Sequence, residues 1–117
     1  MNYPFISIIM PCGDEVNFIR KSLGSLLKTE YPKENLEIII VVDEQSDDGT
    51  KKILQEMASK NSMVKILNNP HRTVPFAMNK GIKASTGKIV IRVDAHTEYP
   101  SDYIPKCVEY LNKTDAW

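Results

Sequence analysis

The sequence has no surplus charge: fifteen Lys and Arg balance fifteen Asp and Glu. A nucleic-acid-binding module would show a basic excess, so that class is not expected. No apolar run approaches the roughly 18 residues that cross a bilayer. Met1–Phe5 lacks the basic-then-apolar order of a secretory signal. There are only two cysteines, Cys12 and Cys107, far apart in sequence. They read as buried free thiols of a reducing compartment, which predicts a cytoplasmic protein, and two lone cysteines do not make a metal site. Neither G-x-G-x-x-G nor G-x-x-x-x-G-K-[ST] occurs, so the dinucleotide and P-loop signatures are missing. Repeats, low-complexity tracts and linkers are absent too. What remains is 117 residues, 42% apolar and 26% charged, enough for one domain with one modest core.

Apolar patterning divides the chain into alternating strands and helices. Ile6–Met10 is a short buried strand stopped by Pro11. Ile19, Leu23, Leu26 and Leu27 recur at helical spacing, which predicts a helix over Glu15–Thr29, capped by Asp14 and ended by Tyr31-Pro32. Leu36–Val42 is nearly continuous in Ile and Val, as suits a parallel strand covered on both faces. A polar turn, Ser46–Thr50, leads into a helix bearing Ile53, Leu54 and Met57 that frays at Lys60-Asn61-Ser62. Val64–Leu67 predicts a third strand, and Asn68–Arg72 a loop. Val74–Ala84 is a weaker helix whose end is marked by Thr86-Gly87. Its Gly81 signals either a close backbone approach or a break. Lys88–Val93 is a fourth strand. Ser101-Asp102 caps a last helix carrying Ile104, Cys107, Val108 and Leu111. A further strand is expected to start at Asp115-Ala116-Trp117. Such alternation predicts an α/β fold with a mostly parallel sheet and right-handed crossovers.

In open parallel sheets ligands bind beyond the carboxyl ends of the strands. Three strands end in polar groups, which would gather Asp14, Glu15, Asp43, Glu44, Asp94 and His96 along one rim. An Asp after a strand commonly serves as a turn or cap, but carboxylates crowded together repel unless a cation or ligand donors offset them. A divalent ion with a bound phosphate would do so. Asp94 and His96, two residues apart at a strand end, could both reach one ion. Carboxylate plus imidazole suits Mn²⁺ better than Ca²⁺. Arg72, in a loop, could fork onto a phosphate or a base edge.

Four segments together carry a resemblance: Ile6-Ser7-Ile8-Ile9-Met10-Pro11; Ile40-Val41-Val42-Asp43 with Ser46-Asp47-Asp48-Gly49-Thr50; Asn79–Ala84 with Gly87; and Ile91-Arg92-Val93-Asp94-Ala95-His96. In order and spacing the chain resembles the family 2 glycosyltransferases with their GT-A fold, and among them the exopolysaccharide enzymes of the succinoglycan-biosynthesis type. The resemblance implies an inverting transferase that uses a nucleotide-diphospho-sugar, a UDP-sugar favoured, and Mn²⁺ or Mg²⁺. The acceptor would be a saccharide or lipid-linked molecule. By position Pro11, Cys12, Gly13 and Glu15 resemble the segment that cradles the nucleoside. Asp43 matches the acid that reads the base, and Arg72 a basic donor contact. Asp94 and His96 occupy the D-x-D motif that holds ribose and metal-diphosphate. Two departures stand out: Asp14 replaces the usual Asn before Glu15, and His96 replaces the last acid.

The order of these motifs, with right-handed crossovers, predicts a sheet in the order 3-2-1-4 with helices on both faces. The base and acceptor-binding residues lie downstream of D-x-D in that family, so residues 1–117 are expected to be the donor-binding part, with a second copy as one cover for an exposed face. Two other classes share parts of the pattern. A receiver-type signalling domain needs an acid pair after the first strand, which Asp14-Glu15 supplies, and an Asp after the third, where Leu67-Asn68-Asn69 has none. A catalytically inactive nucleotide-binding domain would show the same residues.

Overall fold

The computed structural model describes residues 3–114. The strand expected at Asp115-Ala116-Trp117 lies outside them. Four strands, β1 (Ile6–Cys12), β2 (Leu36–Asp43), β3 (Val64–Asn69) and β4 (Ile89–Arg92), form one sheet in the order β3-β2-β1-β4, and every pairing is parallel. Helices α1 (Ile19–Leu27), α2 (Thr50–Lys60), α3 (Val74–Ala84) and α4 (Tyr103–Thr114) provide the crossovers and the last element, with a short 3-10 turn at Lys33–Asn35. β4, not β3, lies beside β1. That is the wrong order for a receiver domain, in which the third strand flanks the first.

The two faces are covered unequally. Ile6, Ile8 and Met10 of β1 join Ile38, Ile40 and Val42 of β2 in the main core, with Ile19, Leu23 and Leu26 of α1, Leu54 of α2, and Ile104 and Val108 of α4. Each such side chain contributes roughly 1.5–3 kcal/mol on burial. The opposite face holds a smaller cluster, Ile39, Val41 and Ala77, beneath α3 alone. α3 can lie so close because Gly81 has no side chain: a Cβ there would come within 2.6 Å of Ile9 Cγ2. The helix continues unbroken to Ala84, so close approach is the reason for that glycine.

Several boundaries differ from the sequence expectation. Pro11 does not stop β1, which pairs through Pro11↔Val41 to Cys12↔Val42. Alternate residues of a parallel strand bond to opposite neighbours, and Ile9 O accepts from Val93 N on the β4 side. Pro11 therefore points to the same side, past the end of β4, where its missing N–H costs no ladder bond. β3 runs two residues further than expected because Asn68 and Asn69 pair with Val42 and Asp43. Helix α1 begins at Ile19, not Glu15: Glu15 O accepts from the N–H groups of Phe18 and Ile19 in a preceding turn. Asp14 does not cap it. Cys107 is half-buried rather than buried, and both thiols are free.

Candidate functional site

The carboxyl ends of β1 and β2 are joined by side chains. Asp14 Oδ1 accepts from Ser46 Oγ at 2.8 Å and from Asp47 N at 3.2 Å. Glu15 N donates to Thr50 Oγ1 at 3.0 Å, and Val16 N to Asp48 Oδ2 at 3.1 Å. Asp48 also accepts from Thr50 N, tying down the start of α2. Asp14 and the Ser46–Thr50 turn thus work as a joint between two strand ends, and the acid expected to cap α1 is committed to it. Glu44 is likewise committed, accepting from Asn68 Nδ2 at 3.2 Å.

This joint fixes one wall of a cleft of about 270 Å³ lined by Pro11, Cys12, Gly13, Glu15, Asp43, Arg72, Asp94 and His96, just below the roughly 300–1,000 Å³ of small-molecule sites. Of the ten residues singled out from sequence, eight line it and Asp14 and Glu44 do not. Pro11, Val41 and Ala77 supply apolar surface. Cys12 is packed at the strand end with its thiol pushed up to about 12, by burial first and then by the charges of Glu15, Asp48 and Asp14. It is not a nucleophile at neutral pH.

Asp43 forms the second wall. Its Oδ1 accepts from Gln45 N at 2.9 Å, an Asx turn at the strand end, and its Oδ2 from Arg72 Nε at 3.1 Å. The Gln45 N–H chiefly, and then the Arg72 bond and charge, hold this carboxyl below the usual range against an opposing effect of burial. Arg72 Nη1 also donates to Gln45 Oε1 at 2.8 Å. Its backbone lies in the left-handed region, φ 58°, which costs a non-glycine residue on the order of 1–3 kcal/mol. Buried Asn69 shapes that loop: Nδ2 donates to Thr73 O at 2.9 Å, and Oδ1 accepts from His71 N at 3.1 Å.

The third wall is the end of β4. Asp94 O accepts from Ser22 Oγ at 3.0 Å, and Asp94 N donates to Tyr99 Oη at 2.7 Å. Val93 and Ala95 are buried, so Asp94 and His96 on either side of Ala95 are both exposed. His96, 61% exposed, places Nδ1 3.7 Å from Glu15 Oε1 and stands edge-on to the Phe18 ring, with centroids 6.5 Å apart. Among the described residues no three His, Cys, Asp or Glu side chains converge as a metal cage. Two donors, one carboxylate and one imidazole, suit an ion that takes its other ligands from water and substrate phosphates. The donor set is competent for a borderline divalent ion such as Mn²⁺, is less suited to all-oxygen Mg²⁺, and does not make a closed protein site. Asn69, Thr73, Val74, Ala77 and Arg92 also line the cleft and were not singled out from sequence. The signal for Arg92 was its place two residues before Asp94, on the same side of an extended strand.

A parallel sheet in the order β3-β2-β1-β4 with a cleft of mixed polar and apolar lining across its strand ends is the arrangement of a GT-A-type fold. The chain matches the family described as Glycosyl transferase family 2 over residues 7–116 and belongs to it. It is 36% identical over 107 residues to a dolichyl N-acetyl-alpha-D-glucosaminyl phosphate 3-beta-D-2,3-diacetamido-2,3-dideoxy-beta-D-glucuronosyltransferase of Methanococcus voltae, covering 90% of this chain and 33% of that protein. It is 31% identical over 111 residues to the succinoglycan biosynthesis protein ExoA of Rhizobium meliloti, covering 93% and 33%. In structure it is similar to the mannosyltransferase PcManGT from Pyrobaculum calidifontis in complex with GDP-Man and Mn²⁺, with a TM-score of 0.87, 25% identity, and coverage of 95% of this chain and 33% of that one. The chain spans about a third of the length of these relatives.

Proposed function

We propose that residues 1–117 form the donor-binding part of an inverting glycosyltransferase that takes a UDP-sugar. One observation carries the reading: Asp43, Arg72, Asp94 and His96, from three strand ends, line a single cleft. Pro11, Cys12, Gly13 and Glu15 wall the nucleoside. Asp43, an acceptor-only carboxylate, takes an N–H from the base, which uracil offers at N3. Arg72 contacts the donor on the same side. Asp94 and His96 would hold Mn²⁺ or Mg²⁺ together with the diphosphate, and the ion would offset charge on the departing group.

The reaction class is direct displacement: an acceptor hydroxyl bonds to the anomeric carbon as the bond to the nucleoside diphosphate breaks. The acceptor is a saccharide or lipid-linked molecule of polysaccharide assembly. The base and acceptor contacts belong to the additional length of the relatives, so the 117-residue chain is expected to bind donor without turnover. We place the protein in the cytoplasm, where free thiols persist. A second copy is a candidate cover for exposed Val74, Ile82 and Val90. Thermal melts with UDP, GDP and ADP test the nucleotide assignment, because a ligand specific to the native state raises Tm. UDP should raise it most, and equal shifts with all three would reject base reading by Asp43.

A further inference from the structure

We propose that Arg92 is an anion-binding residue of the cleft that takes a phosphate group beside Asp94. The inference rests on the reading of the cleft as a nucleotide-sugar site. Arg92 is the last residue of β4 and pairs with Ile9 of β1. Ile89 and Ile91 are buried in the main core while Val90 and Arg92 are exposed, so Arg92 lies on the α3 face. α3 packs chiefly on β1, β2 and β3 there, and Val90 of β4 is 42% exposed. The guanidinium makes no hydrogen bond and no ion pair among the described residues, yet it lines the cleft. The other cleft arginine, Arg72, is committed to Asp43 and Gln45.

Charge in the cleft points the same way. Glu15, Asp43 and Asp94 carry three negative charges. Arg72 offsets Asp43, and Glu15 faces His96. Asp94 has no salt-bridge partner among the described residues, although Arg92 is two positions away. An acid open to a cation and a guanidinium open to an anion are a complementary pair for metal-phosphate. β2 and β4 stand two strand spacings apart, about 10 Å. A base at Asp43 therefore leaves its phosphates near β4. A planar guanidinium can fork onto two phosphate oxygens, which lysine cannot. The phosphate has two sources, the donor's diphosphate or the phosphate of a lipid-linked acceptor.

The test is calorimetry on the 117-residue chain, wild type against Arg92→Gln and Arg92→Lys, with Arg20→Gln as a control. The probes are uridine, UDP, inorganic pyrophosphate and a short-chain polyprenyl phosphate, each with and without Mn²⁺. Arg92→Gln should weaken UDP and pyrophosphate about tenfold or more, the size of a charge-assisted hydrogen bond. Uridine should be unchanged, Arg92→Lys should recover part of the loss, and Arg20→Gln should match wild type. Loss confined to polyprenyl phosphate also supports an anion site and assigns it to the acceptor. Wild-type binding of UDP, pyrophosphate and polyprenyl phosphate by Arg92→Gln would overturn the inference while leaving the donor reading standing. Pyrophosphate binding without nucleotide binding, still lost in Arg92→Gln, would overturn the donor reading and support the anion site. A wild type that binds none of the four overturns both.

Discussion

Strand β2 carries an acid at each end of the same face, and the two are handled in opposite ways. Glu37, near the start, is closed in: its side chain is 2% exposed. It accepts from Ser7 Oγ at 2.5 Å, Lys65 Nζ at 2.6 Å, Thr86 N at 2.8 Å and Thr86 Oγ1 at 3.1 Å. Gly87 N donates in turn to Ser7 Oγ at 2.8 Å. This network fastens the segment after α3 to β1, β2 and β3. Asp43, at the far end, is 18% exposed and has a strained arginine and a backbone N–H for partners. A carboxylate closed in by four donors belongs to the fold. One left open on a cleft, paired with a side chain that can move, is available to a ligand.

The comparison breaks most sharply at Glu37. Glu37→Ala leaves Ser7, Lys65 and the Thr86 N–H without their acceptor and should cost about 3 kcal/mol, at the low end for a broken buried pair because Lys65 is half exposed. Urea unfolding reads this as a lower midpoint at unchanged slope. Asp43→Asn should cost less than about 1 kcal/mol by the same measurement, because the Arg72 partner is exposed and an amide oxygen can still accept from Gln45 N, while weakening UDP about tenfold. The next effect is Gly87→Ala, whose Cβ would sit 2.5 Å from Ser7 N and 2.9 Å from Ile6 C. Backbone atoms cannot yield as a side-chain tip can, so a loss of about 1–3 kcal/mol is expected, without loss of UDP affinity.

Acid titration sharpens the contrast. Burial pushes the Glu37 carboxyl up, but the bonds from Lys65, Ser7 and Thr86 more than reverse it, from 4.5 down to about 2. A folded pKa below the unfolded one adds stability that is complete above the unfolded value and fades as pH falls through the folded one. Stability should therefore decline between about pH 4.5 and 2, and Glu37→Gln should flatten that decline. Asp43 is shifted in the same direction, but it borders the open cleft and its arginine partner is 57% exposed, so Asp43→Asn should alter the curve less than Glu37→Gln. The smallest effect is Arg72→Gly, which removes one exposed ion pair and also a left-handed non-glycine residue. These offset, so stability should change by less than about 1 kcal/mol while UDP binding weakens.

The layout was legible where one physical cause dominated. The Ile- and Val-rich run of β2 and the helical spacing in α1 left little choice of element, and the strand order followed from the matched motifs. Legibility failed where tertiary contacts overrode local preference. Pro11 reads as a strand stop until β4 is seen to end beside it. Asn68 and Asn69 read as a loop until the end of β2 is seen to pair with them. Asp14 reads as a helix cap, and only the folded chain brings Ser46 and Asp47 to it across 32 or more positions. In the cleft, acids at strand ends were visible because position alone marks them. Arg92 sat inside a strand pattern, and its lack of a partner is a fact of three dimensions.

Calorimetric titration of UDP into the wild-type chain and His96→Ala, with and without Mn²⁺, tests most directly whether this cleft is a metal-assisted nucleotide-diphosphate site. The account predicts that Mn²⁺ tightens UDP binding to wild type, and that His96→Ala keeps the metal-free affinity but loses most of the gain. Identical UDP affinity with and without Mn²⁺ in wild type, or the same Mn²⁺ gain in both proteins, would contradict it.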